Sequence, residues 1–412
     1  MKKKNNKFKN LLYNIYSFFV GLTLGRTRKN VVLGSWGGMT FSDNSRFLYQ
    51  YLCDNKKELG LSNVIWATRS KKVFDKLNDN GYTTCLIGTK ESKKWHLKSG
   101  VHVICNMSSN VLSYEPDIDT RYSCGARKIQ LWHGAGIKAC GYLTNEGKKI
   151  SNWKKKLNNS FIYAFFSCGF WKRCFFIAIS EENKRIAIYD YGYNPKKVII
   201  GIYPRLCYSP KLFDNEIEII EKIIGERKEK KIILFLPTFR NDTSSYIPPE
   251  NIPGFESWLN VNRFYWIKKS HSVDSNSLLA NELRSNTNVL TLPSDFDISI
   301  IYDYVDMLIT DYSSASTDAI FKNLITLEYC PDFDYYKNQD RGFVDDFSKY
   351  HVFGLVKNPA LLFEEIEKRI SIDLKMIPNH NKTREFLFGK AQISMKTFSE
   401  LVIGLNKKTK GE

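Results

Sequence analysis

Four short strings in this 412-residue chain combine side chains that do chemistry with the glycines or hydroxyls that let a ligand come close. Gln130 to Lys138 reads QLWHGAGIK, so His133 follows an apolar run and is followed by Gly134 and Gly136. A histidine in that position can take the proton of an alcohol near neutral pH, and glycines allow close backbone approach to a ligand. The same spacing also suits a histidine that caps a turn, and the residues alone leave both readings open. Ile232 to Asp242 reads IILFLPTFRND and puts Thr238 and Arg240 at the end of a second apolar run. The forked donors of Arg240 suit phosphate, although a carboxylate partner is the commoner fate of such a residue. Tyr265 to His271, YWIKKSH, brings Lys268, Lys269 and His271 to a third run's end, as anion contacts or as structural residues. Leu308 to Asp318, LITDYSSASTD, runs from an apolar strand through Thr310 into Ser313 and Ser314, then into a helix carrying Asp318. Hydroxyls and the first helical amides there can receive phosphate oxygens, or Ser314 can be an N-cap and nothing more. No Walker lysine, GxGxxG fingerprint or kinase signature redirects the phosphate elsewhere.

These residues need strands to aim them, and the apolar runs supply strands. Val31 to Trp36, Val64 to Thr68, Tyr82 to Gly88, Val101 to Met107 and Ile129 to His133 alternate with helical patterns, and Phe175 to Ile179 and Val198 to Ile202 resume the rhythm. Continuous apolar strands between helices predict a parallel sheet covered on both faces. A charged helical segment, 213–231, follows, and a second series opens: Ile232 to Phe239, Phe264 to Lys268, Val289 to Leu292, Met307 to Thr310 and Leu324 to Tyr329. Helices are predicted around Leu278 to Arg284, Ser314 to Lys322 and Pro359 to Ile370. The expected fold is therefore α/β, two Rossmann-like domains with parallel sheets facing a central cleft. The expected boundaries are a basic surface segment 1–30, an N-terminal domain 31–212, a linker helix 213–231, a C-terminal domain 232–390 and a helix with a tail 391–412. Ligands of such sheets bind beyond the carboxyl ends of the strands, where all four strings lie.

Length excludes a single small module, and 43% hydrophobic residues with only 12 prolines exclude a disordered or collagen-like chain. The net charge of +18 is concentrated. Residues 1–30 hold eight basic side chains and residues 147–180 hold seven, with no acidic residue in either, leaving 46 basic against 43 acidic elsewhere. Both stretches interleave cations with aromatic rings, among them Phe8, Tyr13, Phe19, Trp153, Phe166 and Trp171, a combination that suits an anionic membrane surface. For 147–180 a core segment with a lysine-rich loop is the alternative. Nucleic acid is not expected, because no nucleic-acid-binding module accompanies the charge. The apolar run Leu11 to Leu24 is interrupted by Asn14 and falls short of the roughly 20 residues a bilayer requires, and no signal-peptide cleavage site follows it. The nine cysteines, an odd number without CxxC pairing, read as buried free thiols of a reducing compartment, which places the catalytic part in the cytoplasm.

In order along the chain, GSWGGMTFSDNSRFLYQYL (34–52), QLWHGAGIK, GIYPR (201–205), ILFLPTFRND, KSH (269–271), LITDYSSASTDAIF (308–321) and RGF (341–343) resemble the CDP-glycerol glycerophosphotransferase family, across residues 31–390. That family includes teichoic acid primases and polymerases and enzymes of phosphate-linked capsules. The resemblance implies a GT-B fold and transfer of an alditol phosphate from a CDP-alditol to a hydroxyl of a lipid-linked or oligomeric acceptor, with release of CMP, by a peripheral protein at the cytoplasmic membrane face. It implies His133 as general base and a second catalytic histidine in His271. Arg240, Thr310, Ser313, Ser314 and Asp318 fall to the donor's phosphates, and Asp43, Gly134 and Gly136 to the acceptor side. No cofactor is required on this pattern, no metal-ligand cluster is evident, and a divalent cation such as Mg²⁺ is compatible with it. Oligomeric state is not legible. Where the family commonly has Thr-Pro after WHG this chain has Ala135-Gly136, and where it commonly has Pro-Gly-Pro after RGF it has His351-Val352-Phe353-Gly354. The competing readings are a GT-B glycosyltransferase using a nucleotide sugar and a non-catalytic membrane scaffold.

Overall fold

The structure, a computed structural model, describes residues 7–106, 115–139, 142–143, 148–153, 174–238, 246–269, 288–339, 342–389 and 393–404. Its packing divides the chain into two units, Met1–His133 with Glu146–Pro210 and Ala391–Glu412, and Gly134–Asn145 with Lys211–Lys390.

The first unit opens with helix α1, Lys7–Thr23, and is built on a seven-stranded sheet. Its strands are β1 (Thr27–Leu33), β2 (Asn63–Thr68), β3 (Thr84–Leu86), β4 (Ser99–Ile104), β5 (Arg127–Gln130), β6 (Phe175–Ala178) and β7 (Val198–Ile200). All pairings are parallel, in the order β3-β2-β1-β4-β5-β6-β7. Val31, Val32, Leu33, Val101 and Val103 are completely buried, as strands covered on both faces must be. The crossovers carry α2 (Asp43–Asp54), α3 (Lys71–Asp79), α4 (Lys90–Lys98) and α5 (Glu181–Tyr189). The last three begin on a hydroxyl cap: Ser70 accepts from the Val73 amide, Thr89 from Ser92 and Ser180 from Asn183.

The second unit starts its own series with α6 (Asp214–Arg227) and β8 (Lys231–Leu236). After α7 (Phe255–Val261) come β9 (Phe264–Lys269), β10 (Val289–Leu292), β11 (Met307–Thr310), α8 (Ala315–Phe321) and β12 (Ile325–Glu328). The sheet is parallel in the order β10-β9-β8-β11-β12. One face packs Ile233, Phe235, Trp266, Ile309 and Leu327 against Trp258 of α7 and against Leu362 and Ile366 of α9 (Leu362–Arg369). Glu328 is fully buried in β12, and neither carboxylate oxygen has a hydrogen-bond partner among the described residues. Burial pushes its carboxyl up to about 8, so it is held as the neutral acid at pH 7. Helix α10 (Pro378–Phe388) ends this unit. Helix α11 (Met395–Ile403) returns to the first, where Arg127 donates to the carbonyls of Leu401 and Val402.

Among the described residues each of the twelve strands falls on one of the predicted apolar runs, and the α/β class with two parallel sheets is the one expected. β1 begins at Thr27 instead of Val31, inside the stretch assigned to a surface segment. Gly100 allows this: a Cβ there would lie 2.5 Å from the Thr27 carbonyl carbon, so only glycine lets the two backbones approach. The predicted helix at Leu278 to Arg284 lies outside the described residues.

Candidate active site

Both sheets reverse their strand order once, between β1 and β4 and between β8 and β11, and at such a switch point the crevice beyond the carboxyl ends receives ligands. At the first switch point the backbone is strained. Trp36 (φ 41°) and Asp43 (φ 63°), both after β1, and Trp132 (φ 63°), after β5, occupy the left-handed region, at roughly 1–2 kcal/mol each for residues with a Cβ. Strain of that kind persists only where surrounding contacts enforce it, and here they do.

His133 is half-buried, with its ring 4.5 Å from that of Trp132 and 5.3 Å from that of Trp36, centroid to centroid. Its Nδ1 lies 3.3 Å from the Cys105 carbonyl oxygen. A carbonyl can only accept, so Nδ1 carries the proton and the lone pair of the neutral ring sits on Nε2. The peptide that orients His133 is itself held by Asp117, which is 1% exposed. The Asp117 carboxylate accepts from the amides of Gly37 (2.8 Å), Cys105 (3.0 Å) and Asn106 (2.9 Å), tying the loop after β1 to the end of β4. Burial outweighs those three donors and pushes the carboxyl up to about 6.

Asp43 forms a buried ion pair with Arg205 and accepts from the Trp36 indole Nε1 (3.1 Å) and the Asn44 amide (2.7 Å). Asn44 donates to the Trp132 carbonyl at 2.9 Å and accepts from the Arg205 amide at 3.3 Å. Removing one member of such a pair strands a buried charge, at about 3–5 kcal/mol. Asp43 therefore acts on the site by holding Trp36 and the start of α2 in place, through Arg205 of the GIYPR string.

The second unit begins at Gly134, directly after His133. A Cβ on Gly134 would lie 2.3 Å from Ser314 Oγ, which is why glycine is required. Gly136 is half-buried two residues further on. The segment then pairs antiparallel with the RGF string and the residue after it: Val344 donates to the Ile137 carbonyl (3.0 Å) and Ala139 to that of Gly342 (3.1 Å). This delivers Lys138 to the end of β8, where its Nζ donates to Thr238 Oγ1 at 3.2 Å. The Asp311 carboxylate, at the end of β11, accepts from the amides of Thr238 (3.0 Å) and Tyr312 (2.6 Å). Ser313 and Ser314 are half-buried at the same strand's end, with Ser313 Oγ accepting from the Ala315 amide. An ammonium group and three hydroxyls thus gather at the ends of two adjacent strands, a set of donors suited to phosphate oxygens.

Thr310 is buried, and its hydroxyl donates to the Leu236 carbonyl at 2.6 Å, joining β11 to β8. Asp318 is buried in α8, only 4% exposed. Lys268 pairs with Glu250 and Lys269 donates to the Phe296 carbonyl, so neither lysine of the YWIKKSH string stands as a dedicated anion contact. Arg240 and His271 lie outside the described residues, as does 154–173 of the second basic stretch. Asp117, Arg205, Lys138 and Asp311 were missed as site residues. Lys138 alone carried a signal, as the one cation of the QLWHGAGIK string. Among the described residues no group of three His, Cys, Asp or Glu side chains is placed to hold a metal ion.

Two parallel sheets, each with one reversal of strand order, define a two-domain α/β architecture. Residues 16–386 match the model of the CDP-glycerol:poly(glycerophosphate) glycerophosphotransferase family, and the chain belongs to that family. It is 28% identical over 379 residues to a teichoic acid poly(glycerol phosphate) polymerase of Bacillus spizizenii, covering 88% of this chain and 89% of the relative. It is 26% identical over 381 residues to a teichoic acid glycerol-phosphate transferase of Staphylococcus aureus, covering 89% and 90%. Among solved structures, the wall teichoic acid polymerase TagF superposes with a TM-score of 0.66 at 18% identity over 97% of this chain and 98% of that one, a likeness of fold.

Proposed function

We propose that the protein transfers an alditol phosphate, glycerol phosphate in the first instance, from its CDP-alditol to a hydroxyl of a lipid-linked or growing cell-surface polymer. The acceptor oxygen attacks the alditol-bearing phosphorus, the bond from that phosphorus to the CMP oxygen breaks, and CMP leaves. His133 Nε2 takes the acceptor's proton, while Lys138, Thr238, Ser313 and Ser314 meet the charge of the diphosphate, with Arg240 and His271 as further donor-side residues. One observation carries this reading: after β5 the Cys105 backbone carbonyl orients His133 so that Nε2 is its basic nitrogen. No cofactor is built into the scheme, and a divalent cation such as Mg²⁺ is compatible with it. His133→Ala should fold, bind CDP-glycerol and turn over at least about 100-fold more slowly. Near-normal turnover would remove His133 from the mechanism.

Attachment to an anionic membrane at its cytoplasmic face belongs to the same proposal, and α1 supports it. Among the described residues no helix is long and apolar enough to cross a membrane. Yet α1 is turned inside out: Asn14 and Ser17 are buried against the protein, whereas Phe8, Leu12, Ile15, Phe19 and Leu22, at helical spacing, are exposed. A stripe of that kind with lysines beside it lies in the interfacial plane of a bilayer. Arg26 departs from the expected head-group role, because it donates to the carbonyls of Ser17, Leu97, Tyr122 and Cys124 and so clamps α1 to the domain.

A further inference from the structure

Trp36 combines three properties that do not serve folding together. Its backbone is in the left-handed region, its indole is pinned, and the residue is still 42% exposed. The pin is double: Nε1 donates to Asp43, itself locked by Arg205, and the next amide, of Gly37, donates to Asp117. Fixing a large ring while leaving much of it in water costs strain and side-chain entropy and returns little burial. Such a cost is sustained where the ring has a ligand to meet. Its position says which ligand, because the indole lies beside the His133 ring. A hydroxyl within hydrogen-bond reach of Nε2 has its carbon skeleton within a few ångströms of that oxygen, where an aromatic face can receive C–H bonds.

We infer that Trp36 is the acceptor platform, a subsite whose indole face receives the carbon skeleton of the polyol or sugar unit carrying the attacking hydroxyl. This rests on the transfer reading for the identity of the acceptor, but it is a statement about binding and is tested as one. The ring fixes where the acceptor lies, and Asp43, Arg205 and Asp117 fix the ring.

Calorimetric titration of the full chain with oligo(glycerol phosphate), and separately with a glycosylated oligomer, compares wild type with Trp36→Ala and Trp36→Phe. The expected result is acceptor binding about ten- to hundredfold weaker in Trp36→Ala, the range for a truncated aromatic anchor, substantial retention in Trp36→Phe, and CDP-glycerol binding unmoved in both. Which oligomer shows the dependence identifies whether an alditol or a sugar ring is received. Equal acceptor affinity in wild type and Trp36→Ala would overturn the platform, as would wild-type binding to neither oligomer. Loss of acceptor and donor binding together would also overturn it, by assigning Trp36 to the integrity of the fold. Trp36-dependent binding in a protein that releases no CMP would leave the platform standing and refute the transfer reading instead.

Discussion

Asp117→Asn should make the protein more stable and less active at pH 7. The buried carboxyl is raised from 3.8 to about 6, so the unfolded chain gives up that proton first, and stability falls as pH rises between those values. The shift is worth about 3 kcal/mol once pH exceeds 6, as an upper bound, at 1.36 kcal/mol per pKa unit. Asparagine resembles the protonated carboxyl and removes that cost, but its amide nitrogen must face at least one of the three amides of Gly37, Cys105 and Asn106, which returns roughly 1–2 kcal/mol. A net gain of about 1–2 kcal/mol at pH 7 would raise Tm by a few degrees in a unit of this size, with no gain near pH 4. Turnover should fall at least about tenfold, because the Cys105 carbonyl that orients His133 loses its anchor and small displacements of a reacting group are expensive. Thermal melts from pH 4 to 8 and steady-state turnover at pH 7 test both halves. A variant that is less stable at pH 7, with the wild-type pH slope intact, would refute the electrostatic reasoning, and unchanged turnover would refute the positioning role.

Glu328 shows the same sign over a wider window: raised from 4.5 to about 8 by burial, it lowers stability as pH climbs through that range. Glu328→Met should gain stability over wild type progressively from pH 5 to 8, by a few kcal/mol at the top, and a gain that does not change with pH would show that another group titrates. Lys138→Met should raise the KM for CDP-glycerol about tenfold or more, as expected for loss of a charge-assisted contact, whereas an effect confined to the acceptor would remove Lys138 from the donor side. Leu12→Asp with Phe19→Asp should reduce flotation with anionic liposomes by at least about tenfold while Tm stays within a few degrees, and binding that persists would relocate the contact to residues 147–180.

The strands were legible because a buried parallel strand must be continuously apolar, and each such run is a strand. The segment 1–30 was legible only in part: its charge and rings were plain, but composition does not say which face a helix turns inward. Only the structure shows Ser17 buried and Phe19 exposed, and Arg26 spent on carbonyls. Within the site, His133 stood out because its side chain is reactive and glycines follow it. Asp117 and Arg205 did not, since their effect depends on partners 80 residues away for Gly37 and 162 for Asp43, distances that no local spacing encodes. Thr310 shows the same limit. A hydroxyl at a strand end looks the same in sequence whether it faces a ligand or the next strand's carbonyl.

What defines the reaction is the bond that is made. Purified protein given CDP-glycerol, and CDP-ribitol in parallel, with an oligomeric or lipid-linked acceptor, is analysed by phosphorus NMR and mass spectrometry of the products. One CMP should be released for each alditol phosphate joined to the acceptor through a new phosphodiester. A nucleoside diphosphate released from a nucleotide sugar, with the sugar joined through an acetal carbon, would contradict it, and so would the absence of CMP from both CDP-alditols.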